Sequence, residues 1–211
     1  DTTAAVAATI GVESAGKLVF RTDISTRLTV GTLLVLPQGT LEVGTAATPV
    51  APTVTAEIVI ADVPLDLTDD GIGIYDPRQF GTSLLAVDAK VSMSGAVKTP
   101  FVRLASEPKP GDLTLTLSAA VSGWSVGDVV VLPDSRHVPY AQRLTFADHS
   151  ERRMVASVAT NGLSVTLTSA VQFAHPGARD GNGVLEFLPH VGNISRNVII
   201  RSANPTGTRG H

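Results

Sequence analysis

Five histidines, at positions 137, 149, 175, 190 and 211, are the first residues here whose chemistry suits a metal ion. Their separations of 12, 26, 15 and 21 residues leave no His-x-x-x-His pair. A zinc-type site would need three or four ligands converging from distant segments. His175 and His190 flank the polar run Arg179-Asp180-Gly181-Asn182-Gly183, and a hairpin there would bring them face to face. That makes them candidate ligands for a divalent cation, against the commoner role of hydrogen-bonded structural or surface histidines. The sequence requires no other cofactor.

Sugar chemistry draws on different residues. Glycosidic cleavage uses two carboxyl groups, about 5–5.5 Å apart for retention or about 6.5–9.5 Å for inversion. With 19 Asp and Glu residues in the chain, some pair meets that spacing by chance, so no catalytic pair is assigned. Asp69-Asp70 beside Gly71 reads as a turn cap, and Asp128 as a turn acceptor ahead of Val129-Val-Val-Leu132. Aromatic rings stack on sugar faces and arginine forks pair with carboxylates. Tyr75 and Tyr140 fall in predicted loops, and Arg136 and Arg143 lie in the longest polar stretch with Asp134, Asp148 and Glu151. Tyr75, Arg136, Tyr140 and Arg143 are therefore the candidate substrate-binding set. Arg152 and Arg153 alternate along a strand, so one of them at most faces a given groove. The sole tryptophan, Trp124, sits between Gly123 and an apolar strand, where it reads as a packing plug.

Several classes of function drop out. The 211 residues carry a formal net charge of −3 and nine aromatic rings, with no basic cluster for a nucleic-acid groove. Cysteine is absent, which removes disulfides, thiolate zinc sites and cysteine nucleophiles. No phosphate loop ends in Gly-Lys-Ser/Thr, and no Gly-x-Ser-x-Gly elbow occurs. The densest apolar run, Val129–Leu132, is a strand's worth and far short of a membrane helix. The chain opens at Asp1 without Met or a basic leader, as expected of a processed chain or an excised piece.

The elements that must position these residues are strands. Leu18 and Phe20, Leu28 and Val30, Leu33 and Val35, and Leu41 and Val43 alternate with other residues, punctuated by Gly31, Pro37-Gln38-Gly39 and Gly44. Gly16-Lys-Leu-Val-Phe, Gly31-Thr-Leu-Leu-Val and Gly39-Thr-Leu-Glu-Val read as one phrase written three times. Stacked rungs of a parallel β-solenoid produce that pattern, and so does a sandwich of hairpins, so the pattern alone leaves both open. Further strands are expected at Ala56–Ala61, Ala89–Ser94, Phe101–Ala105, Gly111–Leu117 and Asn197–Arg201, with a surface loop over Asp66–Phe80. Asn161-Gly162 between two apolar segments is the strongest hairpin signal. Pro133–Glu151 is polar and has room for a short helix.

Three stretches, in order, carry a family resemblance. They are Thr26–Gly44 (TRLTVGTLLVLPQGTLEVG), Gly123-Trp124 with Gly127-Asp128, and His190–Ser202 followed by Gly210-His211. Together they resemble the G-eight (eight-glycine) domain of extracellular hyaluronan-binding and hyaluronidase-like proteins, fibrocystin-like proteins and bacterial exported relatives. The run Asn204-Pro-Thr-Gly-Thr-Arg-Gly-His211 is most similar to bacterial members. The resemblance implies an all-β fold: right-handed parallel β-solenoid rungs with an inserted small antiparallel β-barrel or hairpin module. The expected division is solenoid over 1–94, insert over 95–190, and a strand returning to the solenoid over 191–211. Family members continue past Gly-His into more β-helix, so later rungs of the same chain are an expected partner. His211 joins His175 and His190 as a candidate metal ligand on this ground alone. The implied function is contact with extracellular glycan, secreted or at the cell surface, as the N-terminal part of a hyaluronidase-like β-helix protein. A catalytic β-helix segment and a non-catalytic structural scaffold stand as alternatives, and catalysis is not expected of this stretch by itself.

Overall fold

Leu18, Leu28, Val30, Leu33, Val35, Leu41 and Val43 point inward from stacked parallel strands in the computed structural model, which describes residues 2–62, 82–136 and 139–206. The strands are β1 (Ala4–Val12), β2 (Lys17–Val19), β3 (Thr26–Val35), β4 (Thr40–Val43), β5 (Ala56–Ile60), β6 (Ser83–Ala86), β7 (Lys90–Met93) and β8 (Phe101–Arg103). There follow β9 (Thr114–Thr116), β10 (Val129–Leu132), β11 (Glu151–Val158), β12 (Ser164–Leu167), β13 (Ala178–Arg179), β14 (Leu185–Phe187), β15 (His190–Asn193) and β16 (Val198–Ser202). One 3₁₀ turn, Tyr140–Gln142, is the helical element among the described residues. The chain divides into two compact units, one from residues 1–96 and 196–211 and the other from Val97–Ser195.

In the first unit, β1, β3, β5 and β16 form a parallel sheet in that order, with β6 beside the second half of β3. A second parallel sheet has the order β2-β4-β7. Parallel pairing throughout selects solenoid rungs over a hairpin sandwich, whose neighbours would run antiparallel. Inward residues stack in register: Ala5 on Leu28 on Ile58, Ala7 on Val30 on Ile60, and Leu18 on Leu41. Each fully buried Leu or Ile in such a ladder contributes about 1.5–3 kcal/mol relative to exposure. The Gly16 and Gly39 phrases do stack, as β2 on β4, but the Gly31 phrase lies in the other sheet as the second half of β3. Gly31 marks no turn. The inward set of β3 switches there from Leu28 and Val30 to Leu33 and Val35, and β1 switches at the same level from Ala5 and Ala7 to Ile10 and Val12. The strand Ala4–Val12 has no counterpart among the sequence expectations, because its inward positions begin with two small alanines.

The second unit is an antiparallel sheet of order β8-β15-β10-β11-β12-β9, with a separate β13-β14 hairpin. The sheet curls until its two ends meet. Leu104 bridges Leu117, Ala105 N–H donates to Thr116 O, and Ser118 N–H donates to Arg103 O. That seals edges which would otherwise present free backbone groups. Val130, Val155, Val165 and Val191 line the core with Trp124, whose Nε1–H donates to Thr99 O at 2.7 Å. The ring plugs the module as its sequence position suggests. The Asn161-Gly162 hairpin joins β11 and β12, but only Gly162 takes positive φ (69°), while Asn161 Oδ1 caps Leu163 N–H.

Candidate functional site

The described residues between β10 and β11, 133–136 and 139–150, lie mostly at the surface, and most of the candidate sugar-contact residues are among them. The 3₁₀ turn presents Tyr140 at 77% exposure. Arg143 caps it by donating from Nη1 to Tyr140 O at 2.8 Å, and its guanidinium lies 3.6 Å from the Tyr140 ring centroid. One ring face is thus backed by a cation. Arg136 is held differently: Nε and Nη2 donate to the two Asp134 oxygens at 3.0 and 2.7 Å, and Nη2 also donates to Ala147 O. Its guanidinium sits 4.7 Å over the Phe146 ring. The Arg136 fork and the backbone amides of Arg136 and His149 hold the Asp134 carboxyl far below the usual carboxylate range. Tyr140 and Arg143 are brought together, whereas Arg136 builds the loop. Tyr75 lies outside the described residues.

A buried clasp closes the loop at its base. His175 is 1% exposed; Nδ1 lies 2.9 Å from Pro133 O before the loop, and Nε2 lies 3.0 Å from Glu151 Oε1 after it. A carbonyl oxygen only accepts, so Nδ1 is the donor there. Glu151 also accepts the amides of Gln172 and Phe173, both at 2.8 Å, and pairs with Arg153. Burial pushes its carboxyl up, but the Gln172 amide, His175, the Phe173 amide and Arg153 outweigh that and hold it below its ordinary value. Closer to the surface, Asp134 N–H donates to Ser150 Oγ, His149 N–H donates to Asp134 Oδ2, and the His149 ring stacks on Phe173 at 3.9 Å. The roles of Phe146, Phe173 and the Glu151–His175 pair escape sequence reasoning because their partners are remote in the chain.

The G8 domain family model matches residues 1–105. The chain carries a G8 domain. Over 194 residues it is 26% identical to mouse (Mus musculus) Fibrocystin-L, covering 90% of this chain and 4% of that protein. Over 131 residues it is 30% identical to human (Homo sapiens) Fibrocystin-L, covering 59% of this chain and 3% of that protein. The chain therefore spans a small fraction of these relatives. Among solved structures, it is similar at 16% identity and a TM-score of 0.36 to the Pseudomonas phage phi297 tailspike, covering 83% of this chain and 24% of that one. A second is the tailspike of Acinetobacter baumannii bacteriophage AP22 in complex with A. baumannii capsular saccharide. Its figures are 16% identity, TM-score 0.33, and coverage of 90% and 24%.

The Tyr140 loop falls outside the residues matched as G8 domain, as do the candidate metal ligands. His190 stands on the outer side of β15, opposite Arg103 and edge-on to Phe101 at 5.9 Å, while His175 is spent on the clasp. They engage different partners. His211 lies outside the described residues. Among the described residues, no group of three or more His, Asp or Glu side chains is arranged to hold a metal ion. No helix among them is long and apolar enough to cross a membrane.

Proposed function

We propose that this chain is an extracellular polysaccharide-contacting module, secreted or displayed at the cell surface, and the N-terminal part of a hyaluronidase-like β-helix protein. The observation that carries the reading is the Tyr140 ring, 77% exposed and backed by Arg143 at 3.6 Å, on a loop clamped by the buried Glu151–His175 pair. A rigid exposed aromatic offers a C–H/π platform to a sugar face, and the adjoining guanidinium offers donors to its oxygens. Pre-organisation by the clasp reduces the ordering cost of binding. Tyr75 and Arg136 complete the proposed contact set. The test is an oligosaccharide array followed by calorimetric titration of the best hit. Tyr140→Ala and Arg143→Ala should each weaken binding by about tenfold while Trp124 fluorescence stays native. Unaltered affinity in Tyr140→Ala, or no saturable glycan binding by the parent chain, sinks the reading.

A scaffold role is the second reading, favoured by open strand edges. Among the described residues β1 pairs with β3 alone and β16 with β5 alone. Such edges support end-to-end stacking. Concentration-dependent association in sedimentation velocity, without glycan binding, would select it.

A further inference from the structure

In the first unit, Glu57 stands on the outer side of β5 between two arginines. Arg27 is its register partner on β3; Arg201 is two residues along β16 from its partner Ile199. Arg27 Nε donates to Glu57 Oε2 and Arg201 Nε to Glu57 Oε1, each at 2.5 Å. Each guanidinium thus spends its inner N–H on the carboxylate. Among the described residues Arg27 makes no other side-chain bond, and Arg201 adds one long contact to Ser202 O at 3.4 Å. The outer Nη groups remain available, on side chains 59% and 47% exposed. Glu57 itself is 7% exposed, and hydrogen bonding first from Arg201 and then from Arg27 holds its carboxyl below its ordinary value despite burial. Two cations share one buried anion, so the trio carries a net charge of +1. On the Arg27 side of Glu57, these two residues line an open groove of about 530 Å³ whose other walls include Thr3, Ser25, Thr26, Thr55 and Ile199. Thr26 is itself buried, and its Oγ1 has no hydrogen-bond partner among the described residues.

We infer that Arg27 and Arg201, oriented by Glu57, form an oxyanion site for an acidic sugar unit, carboxylated or sulfated. Guanidinium forks match carboxylate and sulfate oxygens two at a time, and a fork fixed at Nε loses less freedom on binding than a free side chain. The hydroxyls of Thr3, Ser25 and Thr55 suit the hydroxyls of a sugar ring, and Ile199 its C–H face. The site is separate from the Tyr140 loop and its argument does not rest on that reading.

The test titrates the full chain with sodium sulfate, glucuronate, glucose 6-sulfate and glucose at constant ionic strength, reading the arginine Nε–Hε NMR signals of Arg27 and Arg201. Saturable shifts with the three anions, at least about tenfold stronger than with glucose, are expected. A tighter fit of glucuronate than glucose 6-sulfate assigns a carboxylated sugar, and the reverse a sulfated one. Arg27→Lys keeps the charge but loses the fork, and should weaken binding by about tenfold. Glu57→Gln raises the local positive charge yet should also weaken binding, because it releases both forks. Stronger anion binding in Glu57→Gln, wild-type affinity in Arg27→Lys, or absence of saturable shifts overturns the inference. Where Glu57→Gln does not fold, Arg27→Lys and Arg201→Lys, both at exposed side chains, decide. These signals belong to this trio alone, so failure here leaves the Tyr140 test standing, and the converse holds.

Discussion

Asn197 Oδ1 accepts the backbone N–H of Ala96 at 2.8 Å, joining residues 101 positions apart. The same side chain donates from Nδ2 to Val50 O, Ala51 O and Val54 O at 3.2, 2.9 and 3.1 Å. The chain leaves the first unit at Ala96 and re-enters it at Arg196, so one amide fastens exit, return and the 50–54 loop together. Asn197→Ala takes these partners from Ala96 N–H, Val50 O and Val54 O, while Ala51 O keeps Val54 N–H, and should lower stability by about 2–4 kcal/mol in urea unfolding. Asn197→Asp should cost at least as much, since a carboxylate has no donors for three carbonyls. A change below about 0.5 kcal/mol would remove the fastening role. A Cβ on Gly95 would sit 2.5 Å from Asn197 Oδ1, so Gly95→Ala and Asn197→Ala should couple rather than add in a double-mutant cycle.

Gly39 and Gly11 make a matched pair for testing rung stacking. A Cβ on Gly39 would collide with Val12 O and meet Leu36 O at 2.9 Å, whereas one on Gly11 meets nothing within 4 Å. Gly39 also closes its own turn by donating to Leu36 O, and accepts Lys90 N–H from the β7 rung. Gly39→Ala should therefore push rungs apart and cost about 3 kcal/mol, while Gly11→Ala should fall within about 0.5 kcal/mol of the parent. Thermal unfolding of the two variants side by side checks this, and equal melting temperatures would contradict the stacking.

Strand content was readable from the sequence because alternation is a local property. Leu28, Val30, Leu33, Val35, Leu41 and Val43 are all core residues, and the β16 segment does rejoin β5 in parallel. Which phrase stacks on which was not readable. Leu18 meets Leu41 rather than Leu33, because partner choice depends on where each turn delivers the chain. A glycine inside an apolar run has two meanings, a turn or a change of facing, and at Gly31 it is the second. The Tyr140–Arg143 contact was half legible, since a three-residue separation within one turn is local. The Arg27–Glu57–Arg201 trio and the His175 clasp were not, because their members come from three separate strands or from both sides of a loop.

Trp124 is the chain's single tryptophan and is packed in the core of the second unit, so its fluorescence reports that unit. Nearby, Lys98 Nζ donates to both Asp128 oxygens at 2.6 and 2.7 Å, and Asp128 also accepts Ser125 N–H and Asn193 Nδ2. Burial pushes the Asp128 carboxyl up, but Lys98, Asn193 and the Ser125 amide outweigh it and hold it below its ordinary value. Lys98→Met strands a buried carboxylate and should cost about 3 kcal/mol, seen as an earlier red shift of Trp124 emission in urea. Lys98→Met with Asp128→Asn should recover much of the loss. A Lys98→Met chain as stable as the parent would show the pair to be idle.

Acid should unfold the chain through a small set of carboxyls. Arg179 and the Gly177 amide hold Glu107 down at about 2, against an ordinary value of 4.5. Asp134 and Glu151 are also held below their ordinary values of 3.8 and 4.5. A group that binds its proton more weakly folded than unfolded adds its full stabilisation above the unfolded value. It loses that stabilisation as pH falls through the folded one. Stability should therefore be level above about pH 5 and decline from there towards about pH 2. Glu107→Gln removes one contributor, so its deficit relative to the parent should be largest at pH 7 and shrink towards pH 2. Urea unfolding of both chains at pH 7, 4, 3 and 2 measures the gap directly. A gap that stays constant across that range would mean that Glu107 acts through packing alone and that its ion pair with Arg179 contributes nothing to folding.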